Sequence, residues 1–227
     1  MFQLRAPFSL LTPTRGRPQA LQEMADSVRA TSTRPVEILA YVDDDDPYLE
    51  QYEATTGVGV TVGPRIMLSE CWNVLARKAE GDFLHMSSDD IRFRTPGWDS
   101  IIKDTFENFP DRIACVYGRD GIHDEKLATH GFISRRWYET VGYFTWPEFP
   151  CDFADTWLHD VAQMIGRLIY QPDVLIEHLH PIAGKAEWDQ THLERKARGK
   201  DVRVDALYRR LKPRRREDAR KLEDACF

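Results

Sequence analysis

One stretch of the sequence constrains the fold more than any other: residues 82–98, which read D-F-L-H-M-S-S-D-D-I-R-F-R-T-P-G-W. Its apolar first half predicts a buried strand, and that strand ends in the adjacent carboxylates Asp89 and Asp90. Open α/β proteins bind ligands at the carboxyl ends of parallel strands, and paired carboxylates suit Mg²⁺ or Mn²⁺. The stretch therefore predicts either a cation site or, since Asp is common in turns, an ordinary turn.

The size and composition of the chain fit a globular protein with one large core. It has 227 residues, of which 42% are hydrophobic and 30% are charged. No apolar run reaches the roughly 20 residues that a membrane-spanning helix needs, and the start, M-F-Q-L-R-A-P, does not resemble a signal peptide. The cysteines form no C-x-x-C pair: they are Cys71, Cys115, Cys151 and Cys226. These features predict a cytoplasmic protein with reduced thiols.

The net charge of −6 conceals an uneven distribution. Residues 195–221, called the basic tail below, hold 13 Lys and Arg against 4 Asp and Glu, a charge of +9. Glu223 and Asp224 follow, so residues 1–194 carry the remaining −13. An acidic body with a basic tail bears on the partners of the protein and says little about its fold.

Strand patterns alternate with helical patterns along most of the chain. The expected strands are residues 8–11, 36–42, 58–62, 83–86, 113–117, 128–134 and 174–176. Helices are expected from Pro18, near Tyr48, from Leu68, after Trp98, and over residues 135–141 and 153–165. This alternation predicts an α/β domain with a mostly parallel sheet covered on both faces. Beyond Gly184 the sequence is charged and predicted to be helical, with a break at Pro213.

Five sequence motifs follow one another in an order that points to one family. They are L-T-P-T-R-G-R-P after the first strand, V-D-D-D-D-P after the second, P-R-I-M-L-S-E-C-W-N, S-S-D-D-I-R-F-R-T-P-G-W, and F-A-D-T-W-L followed by E-H-L-H-P. Each is a weak pattern alone. In this order they resemble a family-2-type glycosyltransferase of the GT-A fold, of the short type found in bacteriophages and bacteria. The resemblance runs from Phe8 to about Lys185.

The resemblance implies a single GT-A domain over residues 1–185 and a charged helical extension over residues 186–227, called the C-terminal segment below. It also implies an inverting, metal-dependent transfer from a UDP-sugar to an acceptor hydroxyl, with Mn²⁺ or Mg²⁺ as the cofactor. In the family the metal is held by a D-x-D motif. Asp90 is then the expected metal ligand, and Asp89 would contact either the metal or the donor. Ser88 stands at the first position of that motif.

A late histidine of the family often contacts the metal or the diphosphate, and His178 and His180 are both candidates here. The resemblance also places a set of residues around the nucleotide, with Asp44, which Asp43 precedes, accepting from the uracil N–H. That set is Thr12, Pro13, Thr14, Arg15, Arg17, Asp43, Asp44, Arg65, Asn73, Ser88 and Asp89. The alternative for the loop arginines is a solvated surface, where most arginines lie.

The acceptor hydroxyl must lose a proton as it attacks, and a carboxylate can take it as general base. The resemblance assigns that role to Asp155, with Asp152 and Asp160 as the nearest substitutes. The alternative for Asp155 is a helix N-cap. Trp146, in an aromatic and proline-rich loop, is the candidate for contact with the acceptor, because sugars pack on aromatic faces.

The motifs do not identify the acceptor. Related short enzymes act on cell-surface glycans or on hydroxymethylated bases of DNA, and the basic tail makes DNA a candidate partner. If a phage encodes the chain, it would act in the host cytoplasm. The tail has three alternatives: a solvated helix, attachment to an acidic membrane surface, or docking on the acidic body. Two other functions rank lower: a nucleotidyltransferase, since T-P-T-R-G-R-P has a single glycine, and an inactive nucleotide-binding module.

Overall fold

The computed structural model describes residues 6–227. The first half of the chain forms four parallel strands in the order β3-β2-β1-β4. These are β1 (Phe8–Thr14), β2 (Val36–Asp43), β3 (Gly59–Gly63) and β4 (Phe83–Met86). Helices α1 (Pro18–Thr31), α2 (Leu49–Glu53) and α3 (Leu68–Lys78) connect them. The alternation of strands and helices predicted from the sequence is confirmed here, and it brings the carboxyl ends of β1, β2 and β4 to one edge of the sheet.

The second half extends the sheet beyond β4 to eight strands, in the order β3-β2-β1-β4-β7-β6-β8-β5. The added elements are β5 (Ile91–Phe93), α4 (Trp98–Glu107), β6 (Cys115–Arg119), β7 (Phe132–Ser134), α5 (Arg135–Val141), α6 (Ala154–Met164) and β8 (Leu168–His178). Strand β7 runs antiparallel to both β4 and β6, whereas β6 and β8 are parallel. The expected α/β fold with a mostly parallel sheet is confirmed.

Three strand predictions need correction. Strand β5 was not predicted, because three residues are too few for a visible pattern, and it exists by pairing antiparallel with β8. Strand β8 covers 11 residues, not the predicted residues 174–176. Strand β7 is shorter than the predicted residues 128–134, and its remaining residues form a turn that enters the site described below.

Helices cover both faces of the sheet, and each face has its own core. On one face, α1 and α4 pack around fully buried aromatic rings, with Trp98 contacting Phe8 and Phe132. On the other face, α3, α5 and α6 pack around Trp72, Trp137 and Trp157. The order of the elements therefore yields three layers, with the sheet in the middle.

The C-terminal segment is helical, as predicted, and contains α7 (Gln190–Val202), α8 (Val204–Arg210) and α9 (Lys212–Ala225). Pro213 lies in the first turn of α9, so it starts a helix just after the expected break. Helix α9 packs on α5 and α6, where Asp218 accepts hydrogen bonds from the Tyr143 hydroxyl and from the Trp157 indole at 3.1 Å. Leu222 is fully buried in the same core. Within residues 6–227, no helix combines the length and apolar composition that a bilayer crossing requires.

Replacing Leu222 by Ala should reduce the free energy of unfolding by about 2–5 kcal/mol, because a fully buried leucine leaves a cavity. Urea denaturation followed by circular dichroism measures this, with Leu193→Ala as the control because Leu193 is exposed. A loss below 1 kcal/mol would show that α9 contributes little to the core.

The boundary between residues 1–185 and 186–227 stays a prediction. A single cooperative unfolding transition in both the Leu222 and the Leu193 variants would argue against two independent folding units.

Candidate active site

The polar ends of the central strands open into two adjoining cavities. The larger, of about 360 Å³, lies toward α6 and the end of β8 and contains Asp155, His178 and His180. The smaller, of about 150 Å³, lies toward β1 and β2 and contains Arg15, Arg17, Asp43 and Arg65. Ser88 and Asp90 line both cavities. The residues that follow β4, for which the sequence predicted a cation site or a turn, therefore lie where the two cavities meet.

Asp89 is buried at the end of β4 and is held by residues of the loop after β1. The Thr14 hydroxyl donates to it at 2.6 Å, and the Arg17 guanidinium donates at 3.2 Å. Burial raises the pKa of Asp89, and the positive charge of Arg17 opposes that shift. Both carboxylate oxygens of Asp89 have partners from the protein, so this residue fixes the β1 loop against β4.

Asp90 has a different environment. Ser88 donates its hydroxyl to one carboxylate oxygen, and His178 Nε2 lies 3.3 Å from the other. Burial alone would raise the pKa of Asp90, but the hydrogen bond and the charge of His178 outweigh it, so the pKa of Asp90 lies well below its usual range. Asp90 is therefore a carboxylate at neutral pH, with an imidazole beside it.

The two late histidines can be told apart by their hydrogen bonds. His180 Nδ1 accepts from the backbone N–H of Ile182 at 3.2 Å, so in the neutral ring its proton lies on Nε2. Burial lowers the pKa of His180 to about 4, which keeps this ring neutral at neutral pH. His178 Nδ1 is buried and has no hydrogen-bond partner among residues 6–227. His178 is therefore the histidine that contacts Asp90, whereas His180 offers an N–H donor.

A further histidine near Asp90 was not predicted. His130, in the turn before β7, lines the larger cavity, and its ring lies 4.9 Å from that of His178. Its Nδ1 donates to the Met86 carbonyl at 3.1 Å, which leaves Nε2 as an acceptor with no partner among the described residues. Burial lowers the pKa of His130. The sequence signal that could have identified it is the short A-T-H-G turn ahead of a buried strand.

Asp155 lies in the first turn of α6 and lines the larger cavity. It accepts from the backbone N–H and the hydroxyl of Thr156, at 2.7 and 3.2 Å. The N-cap of α6 is Phe153, so Asp155 is not the N-cap. Burial raises the pKa of Asp155, and the Thr156 hydrogen bonds reduce the shift. A carboxylate with a raised pKa at a cavity wall is suited to accept a proton.

The two substitutes for Asp155 occupy different places. Asp152 also lines the larger cavity and forms an ion pair with Arg195 at 3.0 Å. Asp160 points toward the C-terminal segment, where it contacts the Tyr208 hydroxyl and Arg215. Of the two, only Asp152 lies at the cavity.

The structure brings together most of the predicted nucleotide residues but not all. Those that line the smaller cavity are Pro13, Thr14, Arg15, Arg17, Asp43, Arg65, Ser88 and Asp89. Thr12 is fully buried beneath the loop, and Asp44 is exposed outside both cavities. Asn73 is buried and accepts from the Phe144 N–H at 2.8 Å. It therefore holds the aromatic loop in place and does not line either cavity.

Trp146, predicted to contact the acceptor, lines neither cavity. Its ring stacks on Trp157 with centroids 5.5 Å apart, and the Arg214 guanidinium lies over the ring at 5.7 Å from its centroid. It is half-buried in the core between the body and α9 because a large indole gains more from burial there than from solvent.

The C-terminal segment forms one wall of the smaller cavity, which the sequence did not predict. Asp189 makes a double contact with Arg17, at 2.7 Å for each nitrogen. Glu194 forms ion pairs with Arg15 and Arg65. These acids belong to a segment whose composition indicates a solvated helix, so only their position in three dimensions shows that they contact arginines of the cavity, whose lining includes Thr191, Arg195 and Arg198 of the same segment.

Asp90 and His178 offer two ligand atoms to a divalent cation. Their facing atoms are 3.3 Å apart, one is a carboxylate oxygen and the other an imidazole nitrogen, and this pair suits Mn²⁺ better than Mg²⁺. Within residues 6–227 no group of three or more His, Cys, Asp or Glu side chains is arranged to hold a metal ion. The pair therefore fits a metal that takes its other ligands from a bound substrate or from water.

Several solved structures are similar in fold. S. aureus TarS matches with a TM-score of 0.59 and 13% identity, over 75% of this chain and 36% of that one. TarS 1-349 in complex with UDP-GlcNAc gives 0.56 and 13%, over 83% and 64%. The mannosyltransferase PcManGT from Pyrobaculum calidifontis, in complex with GDP-Man and Mn²⁺, gives 0.55 and 15%, over 78% and 57%.

The chain thus spans between 36% and 64% of the length of these structures. No protein-family model matches the sequence, and no curated protein does. The similarity therefore lies in the arrangement of strands and helices. The chain has a GT-A-like glycosyltransferase fold.

Proposed function

We propose that the protein is a metal-dependent, inverting glycosyltransferase that moves a sugar from a UDP-sugar to an acceptor hydroxyl. One observation carries the proposal: the Asp90–His178 pair and the raised-pKa carboxylate Asp155 line the same cavity at the strand ends of a GT-A-like fold. Solved proteins with this fold bind UDP-GlcNAc, or GDP-Man with Mn²⁺.

The donor would lie across both cavities. Its nucleotide would occupy the smaller one, where Asp43 would accept from the base and the β1 loop would enclose the ribose. Asp90 and His178 would hold Mn²⁺ at the diphosphate, where a bound cation neutralises the charge of the leaving group. His180, as an N–H donor, would contact a phosphate oxygen. The sugar would extend into the larger cavity.

The acceptor would enter the larger cavity beside Asp155. As its oxygen bonds to the anomeric carbon, the bond from that carbon to the phosphate oxygen breaks and its electron pair leaves with UDP. Asp155 takes the proton of the acceptor hydroxyl. A single displacement inverts the configuration at the anomeric carbon, so the product configuration is a direct check on the mechanism. The carbon passes through an oxocarbenium-like state, as in glycoside hydrolysis.

The proposal is tested by incubating the protein with a panel of UDP-sugars and GDP-mannose, with Mn²⁺ or with EDTA. We expect slow release of UDP from at least one UDP-sugar, dependent on metal, because water can enter the acceptor cavity. Release of GDP alone would correct the nucleotide. No release from any donor, together with no binding of UDP or GDP in calorimetry, would contradict the function.

For the acceptor we propose a polyanion, with DNA carrying hydroxymethyl pyrimidines as the leading candidate and a cell-surface glycan as the alternative. The way the C-terminal segment docks supports this. Docking uses apolar residues such as Leu207 and Leu222 and the acids Asp189 and Glu194. Most cations of the basic tail are left exposed, including Lys200, Arg203, Arg209, Arg210, Lys212, Arg214, Arg216, Arg220 and Lys221. Docking on the body therefore leaves these charges available to phosphates.

Replacing Arg210, Lys212 and Arg216 together by Gln should weaken binding to duplex DNA, with the loss largest at low salt. All three are exposed, and none forms an ion pair within the described residues. If each contacts one phosphate, the log–log slope of affinity against salt should fall by about 0.9 per contact. Fluorescence anisotropy with plain and hydroxymethylated duplexes measures this.

The control removes the same charge outside the tail, by Arg34→Gln, Arg77→Gln and Lys78→Gln, which are also exposed. An equal loss in both triple variants would show a general charge effect and no tail site. No binding of DNA by the wild type at low salt would contradict a DNA acceptor and leave the glycan as the proposed acceptor. Donor hydrolysis tests the enzyme activity independently of the acceptor.

A further inference from the structure

Helix α7 presents one face to the smaller cavity. Thr191, Arg195 and Arg198 are four and three residues apart, which places them on one side of a helix, and all three line that cavity. The helix is held there by contacts of its first turn. Asp189 pairs with Arg17, and the Thr191 hydroxyl donates to the Arg15 carbonyl at 3.0 Å. These two contacts therefore fix the direction in which this face of the helix points.

Among the described residues, Arg195 has a position that no other lysine or arginine shares. The residues that line both cavities are Pro13, Leu68, Ser88, Asp90 and Arg195. Arg195 is the one Lys or Arg among the lining residues of the larger cavity. If the nucleotide occupies the smaller cavity and Asp155 serves the larger, the bond that breaks lies at their junction. Arg195 and Asp90 flank that junction with opposite charges.

Three other arginines of the smaller cavity form ion pairs with carboxylates: Arg15 contacts Asp43, Arg17 contacts Asp89 and Asp189, and Arg65 contacts Glu194. The fourth, Arg198, donates to the Ile66 carbonyl at 2.9 Å and does not line the larger cavity. The ion pair that Arg195 forms is more exposed to solvent. It pairs with Asp152 at 3.0 Å, and the two side chains are 43% and 53% exposed. Exposed ion pairs contribute little, so the Arg195 guanidinium can exchange Asp152 for a more highly charged partner at low cost.

We propose that Arg195 is a catalytic residue that binds the terminal phosphate of the donor diphosphate and stabilises the charge it gains as the bond to the sugar breaks. The electron pair of the broken bond stays on the phosphate oxygen, and the guanidinium faces that oxygen with two parallel N–H groups. This inference rests on the proposed function. It also brings the C-terminal segment into the active site, where it supplies a group that residues 1–185 do not.

A purely structural role is the competing account, in which Arg195 only ties α7 to Asp152. The two accounts differ in which ligand is affected. A residue that binds the terminal phosphate affects UDP and leaves UMP nearly unchanged, because UMP lacks that phosphate. A residue that only holds the helix would affect both nucleotides equally, since both contact the smaller cavity.

The test uses the full chain and measures UDP and UMP affinity by calorimetry with Mn²⁺, together with UDP-sugar hydrolysis. Arg195→Gln should weaken UDP binding by about 10- to 100-fold and change UMP binding by less than about threefold. It should slow hydrolysis at least as much, since the charge grows in the transition state. Arg195→Lys, which retains the charge without the double contact, should give intermediate values.

Lys196→Gln is the matched control, because Lys196 is the neighbouring cation, lies over the Trp188 ring and lines neither cavity. It should behave as the wild type. Unchanged UDP affinity in Arg195→Gln would overturn the inference alone, as would equal losses for UDP and UMP. A wild type that binds neither nucleotide would overturn the proposed function and this inference together. If Arg195→Gln folds poorly, as judged by its melting temperature against Lys196→Gln, the UDP-to-UMP ratio of Arg195→Lys decides.

Discussion

Replacing Asp155 by Asn is expected to slow hydrolysis of the preferred UDP-sugar by about 10²–10⁴-fold, the usual contribution of a general base. Asn has the same shape but cannot accept a proton at neutral pH. UDP affinity should stay within about twofold of the wild type, because Asp155 lines only the larger cavity. Initial rates at saturating donor and calorimetry with UDP measure the two effects separately.

The pH dependence of the hydrolysis rate is a second, independent test of Asp155 as the general base. A base works in its deprotonated form, so the rate should rise as the pH rises through the pKa of Asp155. Burial raises that pKa, which moves this rise above the ordinary range of carboxyl groups, around pH 4. The rise should be absent in Asp155→Asn. Asp152→Asn is the control, and if it lost activity while Asp155→Asn kept it, the base would be Asp152.

Replacing Asp90 by Ala is expected to abolish the dependence of UDP binding on Mn²⁺ and to weaken that binding by more than about 100-fold. Even groups that only orient a metal ligand contribute 10- to 100-fold to metal affinity, and Asp90 is proposed as a direct ligand. Calorimetry of UDP with Mn²⁺ and with EDTA measures both quantities. Affinity equal to the wild type, with unchanged metal dependence, would remove Asp90 from the metal site.

The two late histidines provide a matched pair for the same experiment. His178→Gln should weaken Mn²⁺ binding, because His178 Nε2 faces Asp90. His180→Gln should leave Mn²⁺ affinity nearly unchanged and weaken the binding of UDP, because His180 offers an N–H donor and no free lone pair. The reverse result would show that His180, and not His178, contacts the metal.

The sequence predicted the elements whose pattern is local. Strands β1 to β4 and the helices between them follow from runs of apolar residues and from Pro and Gly at the loops. Strand β5 could not be predicted, because its three residues form a strand only by pairing with β8, more than 80 residues later. The position of β7 between β4 and β6 likewise depends on pairing between distant segments.

The residues of the candidate site also fall into two groups, those with a local sequence pattern and those whose position depends on distant contacts. Asp89, Asp90 and the pair His178 and His180 could be proposed from the sequence because they lie at or just after the ends of strands. The contacts of Asp189 and Glu194 with arginines of the cavity could not, because a charged helix has the same composition whether it is solvated or docked. Trp146 shows the reverse case. Its loop suggested contact with a substrate, but packing between α6 and α9 places it in the core.

A crystal structure with UDP and Mn²⁺, measured for anomalous scattering, tests most directly whether the two cavities form one donor site around Asp90. We expect a manganese peak beside Asp90 and His178, with the uracil in the smaller cavity and the terminal phosphate facing Arg195. A nucleotide bound elsewhere on the surface, or a manganese peak away from Asp90 with UDP present, would contradict it.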